Sequence, residues 1–231
     1  MASAFNYNHF MFLLNGALWT VVLTLMAFVG GGFFGFLVAL GRITPSRAVR
    51  VVTATYVQLI QGTPLLVIMF IIYFGLPTLG LSISPLFAAG ISLTIYVSAY
   101  LGEIWRGCLE SVPKAQWEAA ECLALSRAQR MFKVILPQAV RIATPPTVGF
   151  SVQIVKNTSL ASVVGFVELT RAGQLINNSI FEPFLIYLIV AAMYFCLCFP
   201  LSAFSQRLET MGARRRVGTE PETQGAAIQG G

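Results

Sequence analysis

Trp117-Glu118-Ala119-Ala120-Glu121-Cys122-Leu123-Ala124-Leu125-Ser126-Arg127-Ala128-Gln129-Arg130-Met131-Phe132-Lys133-Val134-Ile135-Leu136-Pro137-Gln138 is the longest run mixing both signs of charge in an otherwise oily chain. Glu110, Glu118 and Glu121 lie in or near it, with the basic residues Arg106, Lys114, Arg127, Arg130, Lys133 and Arg141. Long charge-free stretches flank it on both sides. The run reads as two short helices joined at a corner. Pro113 suits a first helical turn, where its missing N–H is not needed. Ser126 stands three residues before Gln129, a capping-box spacing that starts a new helix at Arg127. That helix is expected to end at Leu136, because Pro137 lacks an N–H and biases the residue before it away from helix. A connector folded like this is a docking element.

The surroundings fix the class. Apolar residues make up 56% of the chain and charged residues 10%, far from a soluble composition. An all-α integral membrane protein follows. Phe10 to Gly41 carries no charge, enough for one span of about 20 residues with an amphipathic entry. The first basic residue is Arg42, so no basic region marks a secretory signal. Gly31 and Gly35 offer a small-residue face that another helix can approach closely. From Val51 to Gly102 there is again no charge, and the turn residues from Gly75 to Pro85 divide this stretch in two.

About five spans result, near residues 17–41, 52–74, 86–106, 146–167 and 183–206, with Pro145-Pro146 opening the fourth. Residues 1–15 form an outer or interfacial segment, 16–209 the transmembrane domain with its two-helix loop at 113–137 between spans 3 and 4, and 210–231 a disordered tail. Glu168, Arg171 and Glu182 mark a short polar loop. Thirteen of the fifteen basic residues then fall on one side. The positive-inside rule puts that side, the charged loop and the C-terminus in the cytoplasm, and the N-terminus outside.

Polar residues inside the apolar stretches are the candidate functional residues. Gly62-Thr63-Pro64 breaks the second span, and carbonyls freed there must face protein or a cavity; a simple proline kink fits equally. Lys156 lies within the fourth span, where a central lysine costs about 2.5–3.5 kcal/mol unless it meets protein, water or a counter-charge. With Asn157, Thr158 and Ser159 it either lines a translocation path or bonds helix carbonyls structurally. Glu103 and Arg106, three apart with the acid first, form a favourable helical pair at the end of the third span. That pair is either a gate or anchor, or a solvated edge.

Other chemistry is missing. None of the three lysines follows a glycine, so there is no phosphate-cradling loop, and the chain has no Asp to serve as an acidic magnesium ligand. The lone His9 has no partners for a metal or catalytic set, and the four cysteines lack zinc spacing. No enzyme motif, metal site or cofactor site is expected in this chain.

The run Glu118 to Arg141 resembles the Glu-Ala-Ala loop of membrane-spanning subunits of bacterial ABC importers. More narrowly it resembles the polar amino-acid permease branch, of the histidine, glutamine and glutamate type. Gln61-Gly62-Thr63-Pro64-Leu65-Leu66, Ala99-Tyr100 with Glu103, Arg106 and Gly107, and Val155-Lys156-Asn157-Thr158-Ser159-Leu160 carry the resemblance across roughly Gly16 to Glu209. Two departures stand out. Ala124 occupies the corner where the family usually has Gly, and Gly149-Phe150 and Asn157 replace an Asn-rich stretch and an Asp.

The resemblance implies that Glu118, Ala119, Ala120, Ala124, Ser126, Phe132, Leu136 and Pro137 couple the spans to a separate ATPase. The partners it implies are two ATP-binding cassette subunits holding ATP and magnesium, a second permease (identical or paralogous), an extracytoplasmic amino-acid-binding protein and membrane lipid, with no nucleic acid. The implied place is the bacterial inner membrane, and the implied cargo a polar amino acid. An ATP-independent secondary transporter or channel is the alternative. It predicts intramembrane acids or inverted repeats, and neither is seen in the sequence.

Overall fold

The computed structural model describes residues 5–217, with side chains to Met211, and every regular element among them is helical. α1 runs Tyr7–Ile43 and α2 Arg47–Gln61. α3, Leu65–Phe70, passes through a π-helical turn, Ile71–Gly75, into the short α4, Leu76–Thr78. α5 is Pro85–Glu110, α6 Lys114–Cys122 and α7 Arg127–Gln129. A second π turn, Arg130–Ile135, leads into α8, Leu136–Asn157, which closes in a 3-10 turn, Thr158–Ser162. α9 is Leu169–Ile180 and α10 Pro183–Val217.

Three helices among the described residues are long and apolar enough to cross a membrane: α1, α5 and the Pro183–Met211 part of α10. The stretches Arg47–Gln61 and Leu65–Thr78 meet the same test as a pair, bent by 99°.

α1 and α5 form the central pair, and small residues let them touch. A Cβ on Gly31 would stand 2.4 Å from Val97 Cγ1, and one on Gly35 3.1 Å from the Ser98 carbonyl. Gly102 answers from α5, its added Cβ falling 2.7 Å from Val38 Cγ1. The face expected at Gly31 and Gly35 is therefore the seam of the fold. Gly31→Ala should force the two helices apart and destabilise the protein by about 1–3 kcal/mol, read as a lower thermal unfolding midpoint in detergent. Around the seam a core gathers Leu23, Ala27, Leu93, Leu101, Phe150 and Ile154.

Several boundaries differ from expectation. Of the segment expected at 1–15, residues 1–4 lie outside the described residues and residues 7–15 belong to α1. Asn6 caps α1 through its side chain, His9 returns the bond, and the helix then runs unbroken for 37 residues, about 55 Å. The second span is not merely kinked: Gly62-Thr63-Pro64 turns the chain through 99°. The loop's second helix does not end at Leu136, because the π turn carries it into α8.

The helix expected at 146–167 starts ten residues earlier and ends at Asn157, with Pro145 and Pro146 inside it. Hydroxyls serve the carbonyls around the prolines. Thr144 Oγ1 donates to the Val140 carbonyl and Thr147 Oγ1 to that of Ala143, both at 2.7 Å, and Ser205 Oγ on α10 donates to Pro145 O at 3.1 Å. Pro145 and Pro146 leave the Arg141 and Ile142 carbonyls without their N–H donors, and these hydroxyl bonds brace the backbone on either side of them.

The supposed polar loop at 168–182 is mostly α9. Leu169, Ala172, Gly173, Ile176 and Ile180 are buried on one face of it, a helical period. That face packs against Leu13 and Ala17 of α1 and Ile186 and Val190 of α10. Only Phe181 and Glu182 turn, with Phe181 left-handed at φ 56°. α10 continues to Val217, past the expected domain end at 209, and the rest of the tail, 218–231, lies outside the described residues.

Candidate functional site

The charged connector folds into a helical hairpin with a firm base and an open tip. At the base, Leu109, Val112, Ile135 and Ala139 are buried together, with Trp117, Met131 and Val134 packed against them. Glu121 pairs with Arg130 at 2.9 Å, and Gln116 Oε1 accepts from Gln138 Nε2 at 3.2 Å, so α6 is tied both to the π turn and to α8.

The corner is built from backbone. Leu125 N–H donates to the Ala120 carbonyl at 3.3 Å and Ala124 N–H to that of Glu121 at 2.8 Å, the double bond of a Schellman helix end. Ala124 sits at its left-handed position with φ 55°, a conformation that glycine takes freely and alanine only at a cost of about 1–2 kcal/mol. The corner thus keeps the shape a glycine would give and holds an alanine in it. Ala124→Gly should stabilise the protein by roughly 1 kcal/mol, measured as a raised unfolding midpoint.

Ser126 then starts α7 as expected. Its hydroxyl accepts from Gln129 N–H at 3.3 Å, and Gln129 Oε1 accepts from Ser126 N–H at 3.0 Å. Outside this frame lies the tip. Ala120 is buried, but Glu118, Ala119, Ala124 and Ser126 are exposed. Leu123 is 74% and Phe132 56% exposed. Among the described residues Glu121 is held by Arg130, while Glu118 has no ion-pair partner. Leu136 is half-buried at the base and Pro137 exposed beside it. A rigid hairpin offering two large apolar side chains and a free carboxylate is a surface made to be covered.

Glu103 and Arg106 meet as expected, with Arg106 Nε donating to Glu103 Oε1 at 3.0 Å. The pair belongs to a larger array. Arg42 at the end of α1 reaches the other Glu103 oxygen at 3.4 Å, and Arg106 also pairs with Glu110. Close by, Trp105 Nε1 donates to Thr147 Oγ1 at 2.9 Å and so fastens α5 to α8. The ion pairs join α1 to α5, and the Trp105–Thr147 bond joins α5 to α8, where the hairpin begins.

The remaining candidates fall into two groups. Thr63 and Pro64 form the bend, with Thr63 Oγ1 donating to the Leu59 carbonyl at 2.8 Å. Lys156 to Ser159 end α8, where Thr158 is buried and its hydroxyl bonds the Val155 carbonyl at 2.7 Å. Lys156 is exposed and, among the described residues, makes no ion pair; Asn157 and Ser159 are half-buried. No hydrogen bond joins the two groups among the described residues. Gln58, Gln61 and Gln153 are also exposed in these apolar stretches.

One buried site escaped the sequence reading. Glu168 is fully buried at the start of α9. Its carboxylate accepts from the N–H groups of Thr170 at 2.8 Å and Arg171 at 2.9 Å, and from Tyr194 O–H on α10 at 2.8 Å. Glutamate is not a favoured capping residue, and a charge among polar neighbours reads as loop; the periodic apolar residues after it were the available signal.

Comparison with known proteins agrees with this geometry. Residues 31–210 match the family described as binding-protein-dependent transport system inner membrane component. The L-cystine transport system permease protein TcyB of Bacillus subtilis is 37% identical over 84% of this chain and 83% of its own length. The probable glutamine ABC transporter permease protein GlnM of the same organism is 36% identical, over 88% and 94%. Among solved structures, a chain of an amino acid ABC transporter superposes with a TM-score of 0.83 at 32% identity, covering 88% of this chain and 95% of that one. A chain of the inward-facing MetNI methionine ABC transporter shares the fold at a TM-score of 0.72 and 18% identity, over 88% and 97%. The chain belongs to the inner-membrane permease components of binding-protein-dependent ABC transport systems.

Proposed function

We propose that this chain is one permease of an ATP-driven importer for a polar amino acid, and that the Glu118–Phe132 tip docks into a separate ATP-binding subunit. The observation that carries this is the tip itself, with Glu118, Leu123 and Phe132 exposed on a hairpin whose base is locked. The relatives named for cystine and glutamine transport support an amino-acid cargo.

In this reading the chain crosses the bacterial inner membrane five times, by α1, the bent α2–α4 unit, α5, α8 and α10, with the N-terminus outside and the hairpin and C-terminus in the cytoplasm. At 22 residues α8 measures about 33 Å, enough to cross. Two ATPase subunits hold ATP and magnesium, and this chain hydrolyses nothing. A binding protein delivers the cargo from outside. A second permease, identical or paralogous, completes the path. Exposed Gln58, Gln61, Gln153 and Lys156 favour such an arrangement, since polar side chains that interrupt apolar stretches face protein or water rather than lipid. Lys156, Asn157, Ser159, Thr63 and Pro64 border the path, Thr158, buried against the Val155 carbonyl, supports them from behind, and Glu103 with Arg106 anchors its cytoplasmic end.

Vesicles containing the chain with its co-expressed ATPase and binding protein test the proposal. Amino-acid uptake should require ATP inside the compartment that faces the hairpin. Equal uptake without ATP would point instead to a self-sufficient transporter.

A further inference from the structure

Both π turns end at a Leu-Pro pair: Ile71–Gly75 precedes Leu76-Pro77, and Arg130–Ile135 precedes Leu136-Pro137. The physical reason is shared. In an α-turn a proline ring runs into the carbonyl four residues back and leaves that carbonyl without its N–H. A π turn is wider, bonding each N–H five residues back, and such turns recur at functional sites.

At the second pair the register is explicit. Leu136 N–H reaches back five residues to the Met131 carbonyl, and Pro137 has no N–H with which to close an α-turn onto Lys133. Gln138 clasps the joint, its Nε2 donating to the Val134 carbonyl at 2.9 Å as well as to Gln116 of α6. The two ends of the turn differ. Ile135 is fully buried in the base, whereas Phe132 and Lys133 are exposed and free to rewind.

We propose that Arg130–Ile135 is the joint through which movement of the docked tip turns α8, and that Pro137 is the positioning residue holding it in the π register. This deepens the docking reading and rests on it. Rewinding one π turn to α takes up one residue, a change in register of about 100° and about 1.5 Å, and it releases the Gln116–Gln138 bond that ties α6 to α8 in the present register. Pro137 favours the π register because in the α-turn its ring runs into the Lys133 carbonyl. With alanine there, the α register loses the clash with the Lys133 carbonyl, and the joint stays in it.

The test uses the whole importer complex with the four native cysteines replaced and spin labels on Ala128→Cys and Val140→Cys. Electron-electron resonance distances are read without nucleotide and with ATP trapped. With Pro137 present, the distance should change between the two states by on the order of 5 Å. In Pro137→Ala one distance should persist in both states and ATP-driven uptake should fall at least tenfold, while the ATP-binding subunit still co-purifies. An unchanged distance in the Pro137 complex overturns the proposal, and so does full uptake by Pro137→Ala. Failure of the ATP-binding subunit to co-purify even with Pro137 present overturns the docking reading, and this inference with it.

Discussion

Glu168→Ala should be the most damaging single substitution in the chain, lowering the folded fraction recovered from membranes several-fold. The carboxylate is dry and serves three donors at once: two N–H groups of the first turn of α9 and the Tyr194 hydroxyl of α10. Tyr194 also shares a 3.0 Å bond with the Thr170 hydroxyl, and Leu169 N–H reaches Thr20 of α1 at 3.4 Å. Truncation strands these donors away from water, each at about 1–3 kcal/mol, so the total is roughly 3 kcal/mol or more. Glu168→Gln should fall between, because its amide turns a donor toward donors. Glu182→Ala, in the exposed turn between α9 and α10, serves as the control and should change nothing measurable. Quantified membrane levels and thermal unfolding in detergent read all three. A Glu168→Ala protein as stable as the native one would show that α9 is held by its apolar face alone.

Lys156→Ala should do the opposite, removing function and sparing the fold. The bonds at the end of α8 run through the backbone, with Thr158 Oγ1 on the Val155 carbonyl and Ser159 Oγ on the Lys156 carbonyl, each at 2.7 Å. Truncating the lysine side chain touches neither. Lys156 is exposed at the last residue but one of α8, and the path gives its ammonium the passing substrate or the facing permease as partner. ATP-driven uptake should fall at least about tenfold with normal membrane levels. Normal uptake would return Lys156 to a structural role.

What the sequence made legible was local. Ser126 and Gln129 announce the start of α7 because a capping box is complete within four residues. Gly31 and Gly35 announce a close helix contact because no side chain intervenes. The corner at Ala124 was legible in position but not in shape, since alanine is not the residue that advertises a left-handed backbone. What stayed hidden depends on partners far along the chain. Pro145 and Pro146 read as a helix start, because nothing nearby says that Ser205, sixty residues later, serves the Pro145 carbonyl. Pro137 reads as a stop for a local reason, because a proline advertises a broken α-turn and not the π turn that absorbs it. Glu168 reads as solvated loop, and only Tyr194 and the α9 backbone make it a buried cap. Charge marked the connector that folds as a hairpin and misled at α9, where the same type of residue is folded inward.

The most direct test of the central claim is purification of this chain in mild detergent from membranes that express its complete transport system, with every co-purifying protein identified. An ATP-binding cassette subunit should come with the chain, and Glu118→Lys, which reverses the one free carboxylate at the tip without touching the Glu121–Arg130 pair, should release it while leaving the chain folded. Recovery of the chain alone, still supporting uptake in vesicles without ATP, would contradict the account.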